Sequence, residues 1–147
     1  MLKKILRWGA ILLVLAFIAI QFFPYGRGAE GKNPPVRQEP KWDSPRTREL
    51  VARACFDCHS NETKWPWYSK IAPVSWLVWY DVEEGRKHLN FSEFDRKQKH
   101  AEEASTEVMS DEMPLWYYLP LHPEAKLTDD EKLALIDGLD ATFGKDE

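Results

Sequence analysis

The residues best suited to chemistry in this sequence are Cys55, Cys58 and His59, which belong to the run Cys55-Phe56-Asp57-Cys58-His59. Two thiols three positions apart lie on the same side of a helical turn, and the imidazole that follows can offer a neutral nitrogen to a metal. The spacing C-x-x-C-H is the attachment signature of a c-type haem. It therefore predicts one covalent haem, bound through Cys55 and Cys58, with His59 as the proximal iron ligand.

Other uses of the two cysteines are less well supported. They are the only cysteines in the chain, and a redox-active dithiol would be expected after a strand, whereas the upstream pattern is helical. A zinc site needs four ligands, and beyond the motif only His88, His100 and His122 remain, none at zinc-finger spacing. His88 and His100 fall in a charged stretch and are expected at the surface. A chance match is the remaining alternative.

Met113 is the predicted second ligand of the iron. A thioether is a soft, neutral ligand suited to an iron that alternates between two oxidation states, and ligation by His and Met raises the reduction potential. Pro114 disfavours helix at Met113 and keeps it in a loop. The alternatives are Met109, a histidine such as His122, an open site, or a methionine that only fills a gap in the core.

The first 23 residues combine a basic start with an apolar run. Lys3, Lys4 and Arg7 precede residues 8–23, which are apolar except for Gln21. Such a segment is either a cleaved signal peptide or a single transmembrane helix. We expect an uncleaved anchor, because the apolar run is long and no Ala-x-Ala site follows it. The basic residues would then stay in the cytoplasm, with the remainder in the periplasm or outside.

Composition divides the rest of the chain. Residues 24–44 contain four prolines and three glycines without apolar periodicity, which predicts a Pro-rich linker before a haem-binding domain at 45–147.

Residues 98–147 hold 13 acidic residues and 4 lysines, a net charge of −9, although the whole chain carries only −4. This balance argues against nucleic acid and favours a basic redox partner through electrostatic steering.

The first and last helices of the predicted domain have clear boundaries. Ser44 and Pro45 suit an N-cap and first turn, and this helix is expected to deliver both cysteines from its end. Its buried stripe comprises Thr47, Leu50, Val51, Ala54 and Cys55. Thr128 and Glu131 form a capping box for the last helix, which Gly144 can end. Its inner stripe comprises Leu135, Ile136, Leu139 and Phe143.

Two further helices are predicted between these. Pro73 can begin a helix that Gly85 ends or kinks, and this helix would carry Trp76, Leu77 and Tyr80 on one face. Ser92 and Asp95 resemble a capping pair for a polar surface helix that runs toward Val108. Its thin apolar stripe comprises Phe94, Ala101, Ala104 and Val108.

The aromatic segment between residues 65 and 80 is a candidate wall for the haem pocket. Trp65, Trp67 and Lys70 are the residues predicted to contact the haem propionates. Ordinary core packing is an equal alternative for any single aromatic residue here.

In combination, these features resemble class I cytochrome c and, more closely, the bacterial membrane-anchored haem-binding domain family. The matching stretches are Asn33-Pro34-Pro35, CFDCHSN at 55–61, Trp65-Pro66-Trp67-Tyr68, Ala72-Pro73-Val74-Ser75-Trp76, Glu112-Met113-Pro114 and His122-Pro123-Glu124-Ala125. The resemblance covers nearly the whole chain from residue 22. It implies a small, mostly α, cytochrome c-like domain around one haem. It also implies that Pro73 supplies the backbone carbonyl that orients the ligating histidine in class I cytochromes.

The predicted function is electron transfer at the outer face of the cytoplasmic membrane, without catalysis. A haem-based sensor or small-ligand binder with an open distal site is the second hypothesis. A peroxidase is the third, and it would need His122 or Glu112 as an acid–base group. The ligation of Met113 discriminates among them, since both alternatives require an accessible iron.

Overall fold

A computed structural model describes residues 1–23 and 32–144. These residues are mostly α-helical, with no strand among them and one isolated parallel bridge between Gln38 and Glu93. The α-helices are α1 (Leu2–Ile20), α2 (Pro45–Ala54), α3 (Phe56–His59), α4 (Val74–His88), α5 (Ala104–Met109) and α6 (Asp129–Phe143). Short 3₁₀ helices cover Trp67–Lys70, Leu119–Leu121 and Pro123–Ala125. Unit 1 comprises Met1–Lys32 and Trp65–Asp81, and unit 2 comprises Asn33–Lys64 and Val82–Glu147.

In unit 1, the end of α1 contacts the turn that precedes α4. The side-chain amide of Gln21 donates to the carbonyl of Ala72 at 3.0 Å and accepts from the N–H of the same residue at 3.0 Å. The ring of Phe23 lies edge-on to that of Trp76, with centroids 5.9 Å apart. Gln21, the single polar residue of the apolar run, therefore makes two hydrogen bonds to the backbone of Ala72.

The expected transmembrane anchor is not confirmed. Among the described residues, no helix is both long enough and apolar enough to cross a membrane. Lys3, Lys4 and Arg7 occupy the first turns of α1, which has 19 residues.

The caps of α2 and α6 confirm the sequence prediction. The Ser44 hydroxyl accepts the N–H of Thr47 at 3.1 Å, and Pro45 begins α2. Thr128 and Glu131 form a reciprocal capping box at the start of α6, and Gly144 ends that helix with a φ of 91°. These local hydrogen bonds set where both helices start and stop.

α2 and α6 pack closely against each other. A Cβ on Gly138 would lie 2.1 Å from Oγ1 of Thr47, so the crossing requires glycine at this point. The core of unit 2 comprises Leu50, Val51, Phe56, Leu89, Phe91, Ala101, Val108, Leu135 and Leu139. The predicted inner stripes of both helices are confirmed, because their members are buried or pack against this core.

An aromatic cluster occupies the centre of unit 2. The ring of Phe91 lies 5.4 to 6.4 Å from five other rings, which belong to Trp42, Phe56, His59, Phe94 and Phe143. None of these residues comes from the segment 65–80, for which core packing was the alternative to a wall of the haem pocket. Phe91 therefore organises the core, and the sequence analysis did not single it out.

The alternative that Trp76, Leu77 and Tyr80 of α4 form an ordinary core face is wrong. The helix begins after Pro73 as expected, but Leu77 and Tyr80 are 46% and 52% exposed. Its buried positions are Ser75, Val82 and Gly85. Gly85 lies inside the helix, which continues to His88, so it neither ends α4 nor interrupts it.

The predicted helix from Ser92 toward Val108 is also wrong, since only α5 is helical there. The buried Ser92 hydroxyl accepts the N–H of Asn61 at 2.9 Å, and its carbonyl accepts the N–H groups of Arg37 and Gln38. Ser92 therefore connects three segments and caps no helix. The stretch is not a surface element, because Ala101 and Val108 are buried and Phe94 and Ala104 pack against the core.

Part of the predicted linker packs on unit 2. Pro40 is buried, and the Asn61 side chain donates to the carbonyl of Pro35 at 2.9 Å. The remaining linker residues, 24–31, lie outside the described residues.

Candidate functional site

The C-x-x-C-H motif spans a break between two helices. α2 ends at Ala54, and Cys55, with a φ of −124°, separates it from the single turn of α3. α2 therefore does not deliver both cysteines, because Cys58 and His59 belong to α3. The N–H groups of Cys58 and His59 donate to the carbonyl of Cys55 at 3.2 and 2.9 Å. The two thiols and the imidazole thus come from one hydrogen-bonded turn.

The state of the cysteines bears on the alternative of a redox dithiol. Neither Cys55 nor Cys58 forms a disulfide. Burial raises the pKa of the Cys55 thiol to about 12. Redox-active cysteines react as thiolates, so the raised pKa of the half-buried Cys55 thiol argues against that function.

Hydrogen bonds orient the imidazole of His59. Its Nδ1 lies 3.0 Å from the carbonyl oxygen of Leu89, and a carbonyl can only accept, so Nδ1 carries the proton and Nε2 presents a lone pair. Burial lowers the pKa of His59 and so favours the neutral ring. Hydrogen bonds to the Leu89 and Gly85 carbonyls raise the pKa, but the effect of burial is larger. The carbonyl of His59 accepts the N–H of Phe91 at 2.8 Å. This residue is therefore held at both its ring and its backbone.

Gly85 allows α4 to approach the motif. A Cβ at this position would lie 2.6 Å from the carbonyl oxygen of Cys58 and 3.1 Å from its Cβ. The next residue, Arg86, donates from Nε to the carbonyl of Ser60 and from Nη2 to Oγ1 of Thr63, both at 2.8 Å. The end of α4 thus supports the backbone that carries Cys58 and His59.

Buried polar side chains hold the turn after the motif. The amide of Asn61 donates to the carbonyl of Pro35 and to the carboxylate of Glu93, at 2.9 and 3.2 Å. Its oxygen accepts from the side chain of Asn90 at 2.9 Å, and Asn90 also accepts the N–H of Ser92 at 2.9 Å. Buried and mutually satisfied polar groups specify one arrangement of the segments that they join.

Met113 lies in a loop, as predicted, and is half-buried. The N–H groups of Glu112 and Met113 both donate to the carbonyl of Glu107 in α5, at 3.1 Å. Lys132 of α6 contacts the carboxylate of Asp111 at 2.5 Å. The competing residue Met109 is 61% exposed, which suits it less well to a shielded metal. Iron ligation by Met113 stays a prediction.

Tyr118 links this loop to the C-x-x-C-H motif. Its hydroxyl donates to Oδ2 of Asp57 at 2.6 Å. Burial raises the pKa of Tyr118, and the hydrogen bond to Asp57 adds to that effect. The ring of His122 stacks on that of Tyr118 with centroids 3.8 Å apart. A residue inside the predicted haem motif is therefore in direct contact with the segment after Met113.

Four predicted site residues belong to unit 1, namely Trp65, Trp67, Lys70 and Pro73. The contacts of the first three with haem propionates stay predictions. The expected role of Pro73 is wrong: its carbonyl accepts the N–H of Trp76 at the start of α4, and Nδ1 of His59 contacts the carbonyl of Leu89.

Sequence reasoning missed most of the residues around the motif. Leu89 acts through its backbone carbonyl, which every residue type possesses, so no sequence signal identifies it. Gly85 did leave a signal, because glycine within a helical pattern costs stability and usually has a packing reason. Tyr118 and Asp57 are far apart in sequence, and nothing local indicates that they pair.

Comparison with known proteins agrees with this arrangement. A family model described as a haem-binding domain matches residues 15–141, which is most of the chain and includes the complete motif. No curated protein and no solved structure matches the chain. The protein belongs to the haem-binding domain family.

Proposed function

We propose that unit 2 carries one covalent c-type haem and transfers electrons. The observation that carries this proposal is the single turn of residues 55–59, where two cysteines outside any disulfide accompany an imidazole whose Nδ1 is held by the Leu89 carbonyl. The donor set fits the group. A haem bound there would supply reversible one-electron transfer.

Cys55 and Cys58 would hold the haem through thioethers. Each thiol would add across one vinyl group, with a C–S bond formed, the vinyl double bond consumed and the thiol hydrogen transferred to the other vinyl carbon. This addition needs reduced thiols and no external oxidant.

His59 and Met113 would be the two axial ligands. Leu89 keeps the proton of His59 on Nδ1, so Nε2 faces no competing proton when it binds iron. The thioether of Met113 is neutral, and the half-buried loop limits access of water to it. A neutral ligand pair in a shielded site favours the reduced iron and suits electron transfer.

We propose that residues 1–23 direct export and that the haem domain works at the outer face of the cytoplasmic membrane. A basic start followed by an apolar run is typical of exported chains, and α1 has no buried residue. The acidic second half of the chain suits a redox partner protein with a basic surface.

Covalent attachment is tested by the intact mass of the denatured full-length chain after export in cells with a c-type maturation system. The proposal expects a mass increase of one haem, lost when Cys55→Ser and Cys58→Ser are combined. A chain without the added mass, or one that keeps it in the double variant, would overturn the attachment.

Electron transfer is tested by the ferrous spectrum before and after addition of carbon monoxide. With both axial positions filled by protein side chains, the spectrum changes slowly or not at all. A rapid change would mean an accessible iron, and sensing or catalysis would then replace electron transfer as the function.

A further inference from the structure

We propose that Tyr118 is a positioning residue for Met113, and that its hydrogen bond to Asp57 keeps the Met113 loop (residues 110–118) closed over the iron. This inference rests on the proposed ligation by Met113. It assigns a function to a contact that neither the motif nor the family match explains.

The Met113 loop is attached to unit 2 near both of its ends. At the N-terminal end, the Glu107 carbonyl accepts the N–H groups of Glu112 and Met113. At the C-terminal end, the Tyr118 hydroxyl donates to the carboxylate of Asp57 at 2.6 Å. Tyr118 is five positions after Met113, and a chain of that length reaches no farther than about 17 Å. The second attachment therefore keeps the thioether close to the motif.

The acceptor side of this contact is rigid. Oδ1 of Asp57 accepts the N–H of Lys64 at 2.8 Å, and the Asp57 backbone carbonyl accepts from Oγ1 of Thr63 at 2.8 Å. Asp57 also lies between Cys55 and Cys58. Because the carboxylate cannot turn away without breaking a second hydrogen bond, it holds Tyr118 at a defined distance from the attachment cysteines.

The donor side is supported as well. The His122 ring stacks on the Tyr118 ring at an interplanar angle of 9°, and Nδ1 of His122 lies 3.0 Å from the Tyr118 carbonyl. The ring thus has few alternative orientations, and its hydroxyl is directed at Asp57. Hydrogen bonds to a charged acceptor are the strong ones, so this contact is a strong restraint on the C-terminal end of the Met113 loop.

The experiment uses the full-length, haem-loaded Tyr118→Phe variant in its ferric state and measures binding of imidazole, which competes with the thioether for the iron. Loss of a hydrogen bond to a charged group should tighten apparent imidazole binding about tenfold or more. The sulfur-to-iron charge-transfer absorption should weaken, and amides of residues 112–118 should exchange with deuterium faster. Lys87→Met, which removes an exposed hydrogen bond to the carboxylate of Glu84, is the control and should behave as wild type.

A double-mutant cycle with Asp57→Ala separates positioning from general destabilisation. If the pair acts as a unit, Tyr118→Phe adds little to imidazole binding once Asp57 is alanine. Imidazole binding and amide exchange like wild type in Tyr118→Phe would overturn the inference, and so would additive effects in the cycle. Met113→Ala shows whether Met113 is an iron ligand at all. If its charge-transfer absorption is the same as that of wild type, the proposed ligation is wrong. If the absorption is lost in Met113→Ala but Tyr118→Phe behaves as wild type, only the positioning role of Tyr118 is wrong.

Discussion

The two sides of the proposed iron site are built differently. His59 lies on a backbone framework, in which its ring contacts the Leu89 carbonyl, its carbonyl binds the Phe91 N–H, and α4 approaches through Gly85. The Met113 loop has four backbone hydrogen bonds to α5, all from residues 110–113, and beyond Met113 its attachment depends on side chains such as Tyr118. Ligation by His59 should therefore persist after a single substitution of a polar side chain, even where stability falls, whereas the loop should open when one contact is lost.

This difference suits a site with one permanent ligand and one that sets the potential. Backbone contacts and close packing relax little, because the surrounding core has no room. A loop attached through side chains opens at lower free energy. In this account the His59 side determines whether haem is held, and the Met113 side determines the potential and access to the iron.

The largest effect is expected from Gly85→Ala. The new Cβ would lie 2.6 Å from the carbonyl oxygen of Cys58, and overpacking of this kind costs about 1–3 kcal/mol or more. The unfolding free energy and the haem content of the purified chain should both fall. Gly9→Ala is the control, because nothing lies within 4 Å of its added Cβ. If Gly85→Ala is as stable as wild type, the close approach of α4 to the motif is contradicted.

Met113→Ala should change the iron and leave the scaffold intact. Loss of the thioether should lower the reduction potential by on the order of 0.1 V or more, since axial ligands set haem potentials over a range of about 0.8 V. Haem content and helix content should stay near wild type. Redox titration measures this directly, and an unchanged potential would show that Met113 is not the ligand.

Asn61→Ala tests whether the polar network supports the proximal side. The buried Asn61 side chain makes three hydrogen bonds, to Pro35, Glu93 and Asn90. Its loss should cost about 1–3 kcal/mol of stability with little change in potential. Denaturant unfolding measures the loss of stability, and substitution of the exposed Gln38 by alanine is the control. A large shift in reduction potential without loss of stability would show that Asn61 acts on the iron and not on the scaffold.

The smallest effect concerns the scaffold that both sides share. The hydrogen bond from Arg53, with further help from the Thr128 N–H, lowers the pKa of Glu131 to about 2. A lowered folded-state pKa gives stability that is present above the unfolded value of about 4.5 and is lost as the pH falls toward about 2. The difference in unfolding free energy between wild type and Glu131→Gln should therefore shrink as the pH falls from about 4.5 to about 2. A difference independent of pH would contradict the assignment.

The parts predictable from sequence are those whose signals are local. The caps at Ser44 and Thr128, the stripes of α2 and α6 and the cysteine spacing all depend on residues within a few positions of one another. The predicted helix from Ser92 failed because the hydroxyl and carbonyl of that residue bind Asn61 and the segment 37–38. Those partners are more than 30 positions away.

The candidate site likewise has a part that the sequence predicts and a part that it does not. The C-x-x-C-H motif specified its ligand chemistry, but the carbonyl that orients His59 comes from Leu89 and not from Pro73. A backbone group carries no residue identity, so only the fold reveals it. The pairing of Tyr118 with Asp57 spans 61 positions and depends on how the Met113 loop closes on the motif, which no local pattern encodes.

The most direct test of the account is the proton NMR spectrum of the ferrous, haem-loaded full chain. The methyl group of an axial methionine lies over the porphyrin ring, whose ring current shifts its resonance strongly upfield. The account predicts one such three-proton resonance, present in Met109→Ala and absent in Met113→Ala. If the resonance is missing from wild type, or survives in Met113→Ala, the ligation by His59 and Met113 is contradicted.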